Sequence, residues 1–299
     1  MNTNKILKMV LAGVAAASLC ACSSAGTADA GSGSAAKEET LSGQLSAAGS
    51  TALQPLAEKA SDQFGEANPD LDININGGGS GEGLKQVSAG SVDIGMSDVF
   101  AEEKLDADKA KELTDNKVCV ITMAAVVNKS LGVTELTLDQ LTDIYTGKIT
   151  NWKEVNGPDK KITVFNRKEG SGTRALFEKY AFGGQGANND FVQKDSSGDL
   201  VKAVEQDDSA IGYVAISYLN NNDKIVGLKL DGAAPTLDAT YDGSYPVWGY
   251  EHVYTKGEGS EAAQAFIKYM MGDEFGKHLE ENGYGVTSKL SDKAVKSHE

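Results

Sequence analysis

Three short segments of this chain combine glycine with hydroxyl side chains just before a predicted helix. They are residues 49–52 (GSTA), 79–83 (GSGEG) and 170–173 (GSGT). The first amides of a helix lack an intrahelical acceptor and carry the positive end of the helix dipole. Three such loops can therefore converge on one anion, although each loop alone is also explained by ordinary helix capping. The glycine-rich residues 77–83 match neither the mononucleotide nor the dinucleotide loop spacing.

Two charged residues accompany the loops. Arg167, four residues before Ser171, carries a planar guanidinium that matches two oxygens of a tetrahedral oxyanion. Asp98 follows a short predicted strand, and a carboxylate there would repel an anion by about 4 kcal/mol at roughly 4 Å and an effective dielectric constant near 20. Phosphate keeps a proton at neutral pH and sulfate does not, so Asp98 would accept from phosphate and reject sulfate. By position alone, Arg167 also fits a surface arginine and Asp98 an ordinary turn aspartate.

Strand and helix patterns alternate along the chain. Helical spacing of apolar residues predicts helices over residues 53–64, from residue 84, over 138–145 and 175–180, and a last helix from Ser260. Apolar or alternating runs predict strands at residues 45–50, 71–76, 92–96, 118–127, 162–165, 211–214 and 225–230. Repeated strand–loop–helix units are typical of an α/β fold with largely parallel sheets. In such a fold the glycine loops meet at the carboxyl ends of the strands.

The N-terminus predicts export. Lys5 and Lys8 precede an uncharged run over residues 9–21 that is too short for a transmembrane helix and fits a signal peptide. Residues 19–22 (LCAC) resemble the bacterial lipobox, which implies a lipoprotein signal peptide over residues 1–21 and lipid attachment at Cys22. An ordinary signal peptide with two cysteines is the alternative. Residues 22–42 then predict a flexible tether, which would hold the protein at the outer face of a bacterial membrane of the Gram-positive type.

Charge and cysteine usage narrow the classes of function. The net charge is −15, and loss of Lys5 and Lys8 with the signal peptide leaves 26 basic against 43 acidic side chains, or −17. This acidity argues against a nucleic-acid partner and leaves anion capture to short-range donors. Cys119 lies in an apolar run and is predicted to be buried. No spacing of Cys and His predicts a metal site, and no cofactor is expected.

Taken in order, the motifs resemble the phosphate-binding proteins of ABC-type phosphate importers, the Pst system. The resemblance covers about residues 43–290. The segments that carry it are GSTA (49–52), GSG (79–81) with KQ (85–86), VDIGMSD (92–98), IYTGKITNW (144–152), RKEGSGT (167–173) and AIGY (210–213).

The resemblance implies a set of ligand contacts. Side-chain contacts to phosphate are expected from Thr51, Ser80, Asp98, Arg167, Ser171 and Thr173, backbone amide donors from Ala52 and Gly172, and an extra contact from Ser50. Some family members have phenylalanine at the position of Ala52, a change that keeps the amide donor. Trp152 and Trp248 are expected in core or hinge packing.

The resemblance also implies a two-lobe, periplasmic-binding-protein-like α/β fold with the ligand cleft between the lobes. Lobe 1 is expected over residues 43–120 plus 251–299, and lobe 2 over residues 121–250. The expected function is high-affinity binding of inorganic phosphate and its delivery to the membrane permease of the importer. A monomer is expected.

Two other functions compete with this interpretation. A phosphatase or other hydrolase needs a nucleophile with a base or a metal pair. Only His252, His278 and His298 are available as histidine bases, and none neighbours a serine loop in a recognisable motif. We therefore do not expect an enzyme. A binding protein for sulfate, molybdate or tungstate is the closer rival, and Asp98 disfavours it because those ligands carry no proton at neutral pH.

Overall fold

A nine-stranded mixed sheet is the framework of the protein, whose computed structural model describes residues 41–298. The predicted signal peptide, Cys22 and the tether up to residue 40 lie outside the described residues. The described residues form eleven strands, of which all but β5 and β10 belong to this sheet. They are β1 (Ser42–Gly49), β2 (Asp70–Gly78), β3 (Ile94–Ser97), β4 (Leu113–Asn128), β5 (Glu135–Leu136), β6 (Thr163–Arg167), β7 (Val192–Lys194), β8 (Ala210–Ala215), β9 (Ile225–Gly227), β10 (Lys229–Leu230) and β11 (Trp248–Lys256).

Helices follow most of the strands, as the alternating pattern predicts. The helices of the described part of the chain are α1 (Gln54–Ala67), α2 (Ser80–Ala89), α3 (Ala107–Ala110), α4 (Leu138–Thr146), α5 (Gly172–Ala181), α6 (Ser197–Gln206), α7 (Leu237–Tyr241), α8 (Glu261–Met271), α9 (Asp273–Gly276) and α10 (Asp292–Lys296). None of the helices within residues 41–298 is long and apolar enough to cross a membrane. The α/β class is confirmed, but α8 is not the last helix as predicted, since α9 and α10 follow it.

The strand order of the sheet is β2-β1-β3-β11-β4-β8-β6-β7, with β9 also pairing with β4. The outer pairs β1–β2, β1–β3, β6–β7 and β6–β8 are parallel. The central pairs β3–β11, β11–β4 and β4–β8 are antiparallel. The prediction of largely parallel sheets is therefore wrong at the centre, because β11 arrives from the far end of the chain and enters between β3 and β4.

The long strand β4 belongs to both halves of the sheet. Its segment Leu113–Thr122 pairs with β11, and its continuation from Met123 to Asn128 pairs with β8 and β9. The predicted strand over residues 225–230 is in fact two short strands. After β9 the chain leaves β4, and β10 pairs with β5 in a separate two-stranded sheet.

Buried apolar side chains form two large clusters. One contains side chains from residues 121–247 together with Ala52 and Val99, and Trp152 lies in it. The other combines side chains from residues 45–119 and 253–284, and Cys119 is buried there as predicted. Trp248 packs in a small separate group with Val120 and Ala294, so both tryptophans are buried. The division of the chain into the two predicted lobes stays a prediction.

Candidate functional site

The predicted site residues come together where helices α1, α2 and α5 begin. All six expected side-chain contacts, Thr51, Ser80, Asp98, Arg167, Ser171 and Thr173, are buried. Ser80 and Gly172 open α2 and α5, and residues 51–53 form the turn that leads into α1. The site is therefore built from helix starts, as the glycine–hydroxyl loops predict.

Arg167 ends β6 and is held from several directions. Its Nε donates to the carbonyl of Lys194 (3.3 Å), Nη1 to Ser197 Oγ (3.0 Å), and Nη2 to Thr51 Oγ1 (3.2 Å) and the carbonyl of Asp195 (3.0 Å). The side chain is only 1% exposed, and this burial lowers the pKa of its guanidinium. Four of the five N–H groups thus meet protein acceptors, and the second N–H of Nη1 is left for a ligand.

Thr51 joins the first loop to the Arg167 side of the site. Its Oγ1 accepts from Arg167 and from the backbone N–H of Ser197 (3.1 Å), and its carbonyl accepts from Tyr218 Oη (2.6 Å). A hydroxyl accepts twice and donates once, so the proton of Thr51 remains to be directed at a ligand or at Ser197 Oγ, 3.2 Å away.

The Ser50 hydroxyl accepts a hydrogen bond from the Ala52 amide in this structure. Ser50 Oγ accepts from the amides of Ala52 (3.1 Å) and Leu53 (3.0 Å), which is the bonding of a helix-capping hydroxyl. The predicted ligand donor, the Ala52 amide, therefore already has an acceptor. The amide of Gly172 stays at the start of α5, next to Ser80 and Asp98.

Asp98 lies at the opposite end of the site. Its Oδ2 accepts from Thr173 Oγ1 (2.6 Å), and its backbone N–H donates to Ser80 Oγ (3.0 Å). Ser171 Oγ accepts from the amide of Arg174 (3.2 Å), which leaves the Ser171 proton available. Ser171 and Arg167 also line one cavity with residues 77–79.

The loops that carry the site touch backbone to backbone. The N–H of Gly81 donates to the carbonyl of Gly170 (3.0 Å). A Cβ added at Gly172 would lie 2.1 Å from Ser80 Oγ and 3.1 Å from Asp98 Cβ. Only glycine fits at this contact, so Gly172 is what allows the two loops to lie this close together.

Three residues near the site were not predicted. Ser197 opens α6 after Ser196, and the sequence SSG at 196–198 has the same glycine–hydroxyl design as the three loops that were recognised. Tyr213 Oη accepts from the amide of Arg167 (3.1 Å), and its segment was noticed only as part of the family resemblance. Glu251 is the third, a fully buried carboxyl inside the aromatic strand β11.

The three histidines are paired with residues outside the predicted site, and two of them, His252 and His298, line a cavity together with Asp98. His252 Nδ1 pairs with Asp115 (2.8 Å), His278 with Glu281 (3.6 Å), and His298 Nδ1 with Ser297 (2.9 Å). Within residues 41–298, no cluster of His, Cys, Asp and Glu has the geometry of a metal site. The arrangement of the described residues is thus suited to holding an anion by hydrogen bonds and one guanidinium.

Comparison with known sequences finds one family model and a set of relatives that share one name. A family model for the PBP superfamily domain matches residues 34–274. The phosphate-binding protein PstS of Bacillus subtilis is 45% identical over 280 residues, which cover 93% of this chain and 92% of that protein. PstS of Staphylococcus haemolyticus is 29% identical over 262 residues, 82% of this chain and 81% of that protein.

Solved structures give the same result. A substrate-binding protein from Clostridium perfringens, assigned to a phosphate ABC transporter and solved with bound phosphate, superposes with a TM-score of 0.76 at 31% identity. The match covers 82% of this chain and 100% of that one. An ABC-type phosphate transport receptor from Vibrio cholerae matches with a TM-score of 0.64 at 25% identity, again over 82% of this chain and 100% of that chain.

Proposed function

We propose that this chain, which belongs to the PBP superfamily and within it to the PstS phosphate-binding proteins, binds inorganic phosphate outside the cell membrane and delivers it to the permease of an ABC-type importer. The observation that carries the choice of ligand is that Arg167 and Asp98 are both buried and lie close enough to interact electrostatically. Arg167 supplies positive charge, and Asp98 supplies an acceptor that only a protonated oxyanion can use.

Each expected contact has a physical role in this proposal. Thr51, Ser80 and Ser171 present hydroxyl protons, Gly172 presents a helix-start amide, and Arg167 adds the remaining N–H of Nη1. Thr173 donates its proton to Asp98 Oδ2, so it would hold that carboxylate in place. Ala52 contributes through its amide only if Ser50 releases it, so we propose the Ala52–Ser50 pair as a support of the first loop. Because the donors are short-range, they act despite the repulsive net charge of −15.

Isothermal titration calorimetry tests the proposal directly. At pH 7 the protein is expected to bind phosphate about 10⁴-fold more tightly than sulfate or molybdate, because both lack the proton that Asp98 accepts. Comparable binding of phosphate and sulfate would overturn the assignment. Absence of binding to phosphate, with tight binding of molybdate, would favour the rival oxyanion instead.

We further propose that closure of two lobes, residues 43–120 plus 251–299 and residues 121–250, surrounds the ligand. The short contacts between the loops at Gly81 and Gly170 support this, since they join residues from the two proposed lobes. Hinge closure removes water from the anion and changes the surface that a permease meets. Small-angle X-ray scattering with and without phosphate should show a smaller radius of gyration in phosphate; an unchanged radius would argue against closure.

The anchor is proposed from sequence alone. Cys22 would carry the lipid, residues 22–42 would be the tether, and the protein would act at the membrane as a monomer without catalysing a reaction. Replacing Cys22 by serine is expected to release the protein from membranes, whereas Cys20→Ser is expected to leave it attached. If Cys22→Ser protein stays in the membrane fraction, the proposed anchor is wrong.

A further inference from the structure

The carboxyls of Glu251 and Asp98 meet beside the end of the β11–β3 pair. The last pair of these two antiparallel strands is His252 opposite Ser97, and Glu251 and Asp98 are the adjoining residues of the chain. The Glu251 carboxyl is 0% exposed and lies within hydrogen-bonding reach of the Asp98 carboxyl.

Glu251 has no basic partner. In the described part of the chain, no N–H or hydroxyl donor reaches either of its carboxyl oxygens. The ionisable groups that interact with it are Asp98, Cys119 on β4, and the tyrosines at 218 and 284, which are all acids. Burial first, and then the charge of Asp98, raise the pKa of Glu251 well above its ordinary value. Both causes favour the protonated, neutral form of the Glu251 carboxyl.

A neutral carboxyl has one O–H to donate, and one acceptor nearby needs it. Asp98 Oδ2 already accepts from Thr173, while Asp98 Oδ1 is buried and meets no N–H or hydroxyl donor among residues 41–298. A proton on the Glu251 carboxyl can therefore be donated to Asp98 Oδ1. With that proton in place, the two carboxyls carry a single negative charge between them.

We infer that Glu251 is a positioning residue that sets ligand specificity: it donates a proton to Asp98 Oδ1, so that Asp98 stays ionised and directs Oδ2 at a protonated ligand oxygen. This inference rests on the proposed function. If Asp98 took up the proton instead, it would become a donor, and a bare anion such as sulfate would fit. Glu251 thus supports discrimination without touching the ligand.

Two variants separate this role from a merely structural one. Glu251→Gln keeps a donor and the same shape but cannot ionise, so its affinity for phosphate is expected to stay within about threefold of the unmodified protein at pH 7. Glu251→Leu removes the donor and leaves Asp98 Oδ1 unsatisfied. Its phosphate affinity is expected to fall about tenfold or more, and sulfate binding is expected to appear at a higher pH than in the unmodified protein.

The experiment titrates phosphate and sulfate calorimetrically between pH 5 and pH 8, with the exposed Glu258→Gln as a matched control. Glu251→Gln protein that binds phosphate tenfold tighter would show that Glu251 is ionised, and Glu251→Leu protein with unchanged phosphate and sulfate profiles would show that it has no role. Either result overturns the inference.

A second measurement does not depend on the Leu variant folding or on the ligand. Difference infrared spectra of the unmodified protein and Glu251→Gln at pH 7 should contain the band of a protonated carboxyl, and a carboxylate band in its place would overturn the inference. If the unmodified protein fails to bind phosphate, the proposed function fails, while the infrared result still decides where the proton lies.

Discussion

The two ends of the candidate site handle charge in opposite ways. At the Arg167 end, acceptors from Thr51, Ser197 and two backbone carbonyls engage four N–H groups of one cation. At the Asp98 end, two buried carboxyls face one another, and three of their four oxygens meet no N–H or hydroxyl donor in the described chain. The first end fixes a cation by hydrogen bonds and, in the proposed function, recognises the charge of the ligand. At the second end, in our inference, Glu251 donates to Asp98 Oδ1 and Asp98 Oδ2 accepts the proton of the ligand.

Removing the cation should break the first end most severely. Arg167→Ala is expected to weaken phosphate binding roughly 100-fold or more, because truncating a buried, hydrogen-bonded charge costs several kcal/mol and also leaves Thr51 and Ser197 without their donor. Calorimetry at pH 7 measures the loss. Lys168→Ala, at the exposed neighbouring position, is the control and should bind normally. A loss of less than threefold for Arg167→Ala would remove Arg167 from the site.

The contact between the loops offers the next largest effect. In Gly172→Ala the new methyl would lie 2.1 Å from Ser80 Oγ, so the two ends of the site would be forced apart. Phosphate affinity should fall about tenfold or more, as expected for overpacking. Gly65→Ala, where an added Cβ meets no atom within 4 Å, is the matched control. Equal affinities for the two variants would show that the close approach is unimportant.

Neutralising the other end should change selectivity more than affinity. Asp98→Asn offers an N–H₂ donor where the carboxylate accepts only, so sulfate should gain. The ratio of phosphate to sulfate affinity is expected to fall roughly tenfold or more. Competition calorimetry with both anions gives the ratio, and an unchanged ratio would contradict the assigned role of Asp98.

The smallest effect concerns stability and pH. The pKa of Glu251 in the folded protein lies well above its ordinary value of 4.5. At a pH between the unfolded and the folded pKa, the folded protein therefore holds a proton that the unfolded chain has lost. Stability of the unmodified protein therefore falls as pH rises through this window. Glu251→Gln does not titrate, so its melting temperature relative to the unmodified protein should rise from pH 5 to pH 8. A difference that is constant with pH would show that Glu251 does not shift.

The parts of the site that the sequence predicts are local. Glycine and hydroxyl residues before a helix form a pattern within four residues, which is why Ser80, Ser171 and Thr173 could be proposed as site residues without a structure. The Ala52 amide illustrates the limit of this reasoning. A hydroxyl two residues earlier is a nearer acceptor than any ligand, and Ser50 takes that bond here.

The parts that were missed depend on distant pairing. No neighbour of Glu251 in the sequence suggests a role for it. Its position beside Asp98 follows from the pairing of β11 with β3, which the sequence does not predict. The antiparallel centre of the sheet was mispredicted for the same reason, since strand direction depends on where the chain returns. Ser197 could have been predicted from the sequence, because its loop combines glycine and hydroxyl residues as the three predicted loops do.

The position of β11 has a consequence for how the molecule is made. This strand joins β3 to β4, and its residue Val253 meets Asn116, 137 residues earlier in the chain. During synthesis the sheet cannot be completed until nearly the whole chain has emerged, and such non-local pairing slows folding. Glu251 arrives on this strand and meets Asp98 only then. The nascent chain thus carries the Asp98 loop, Arg167 and Ser197 before it has the strand that finishes the site.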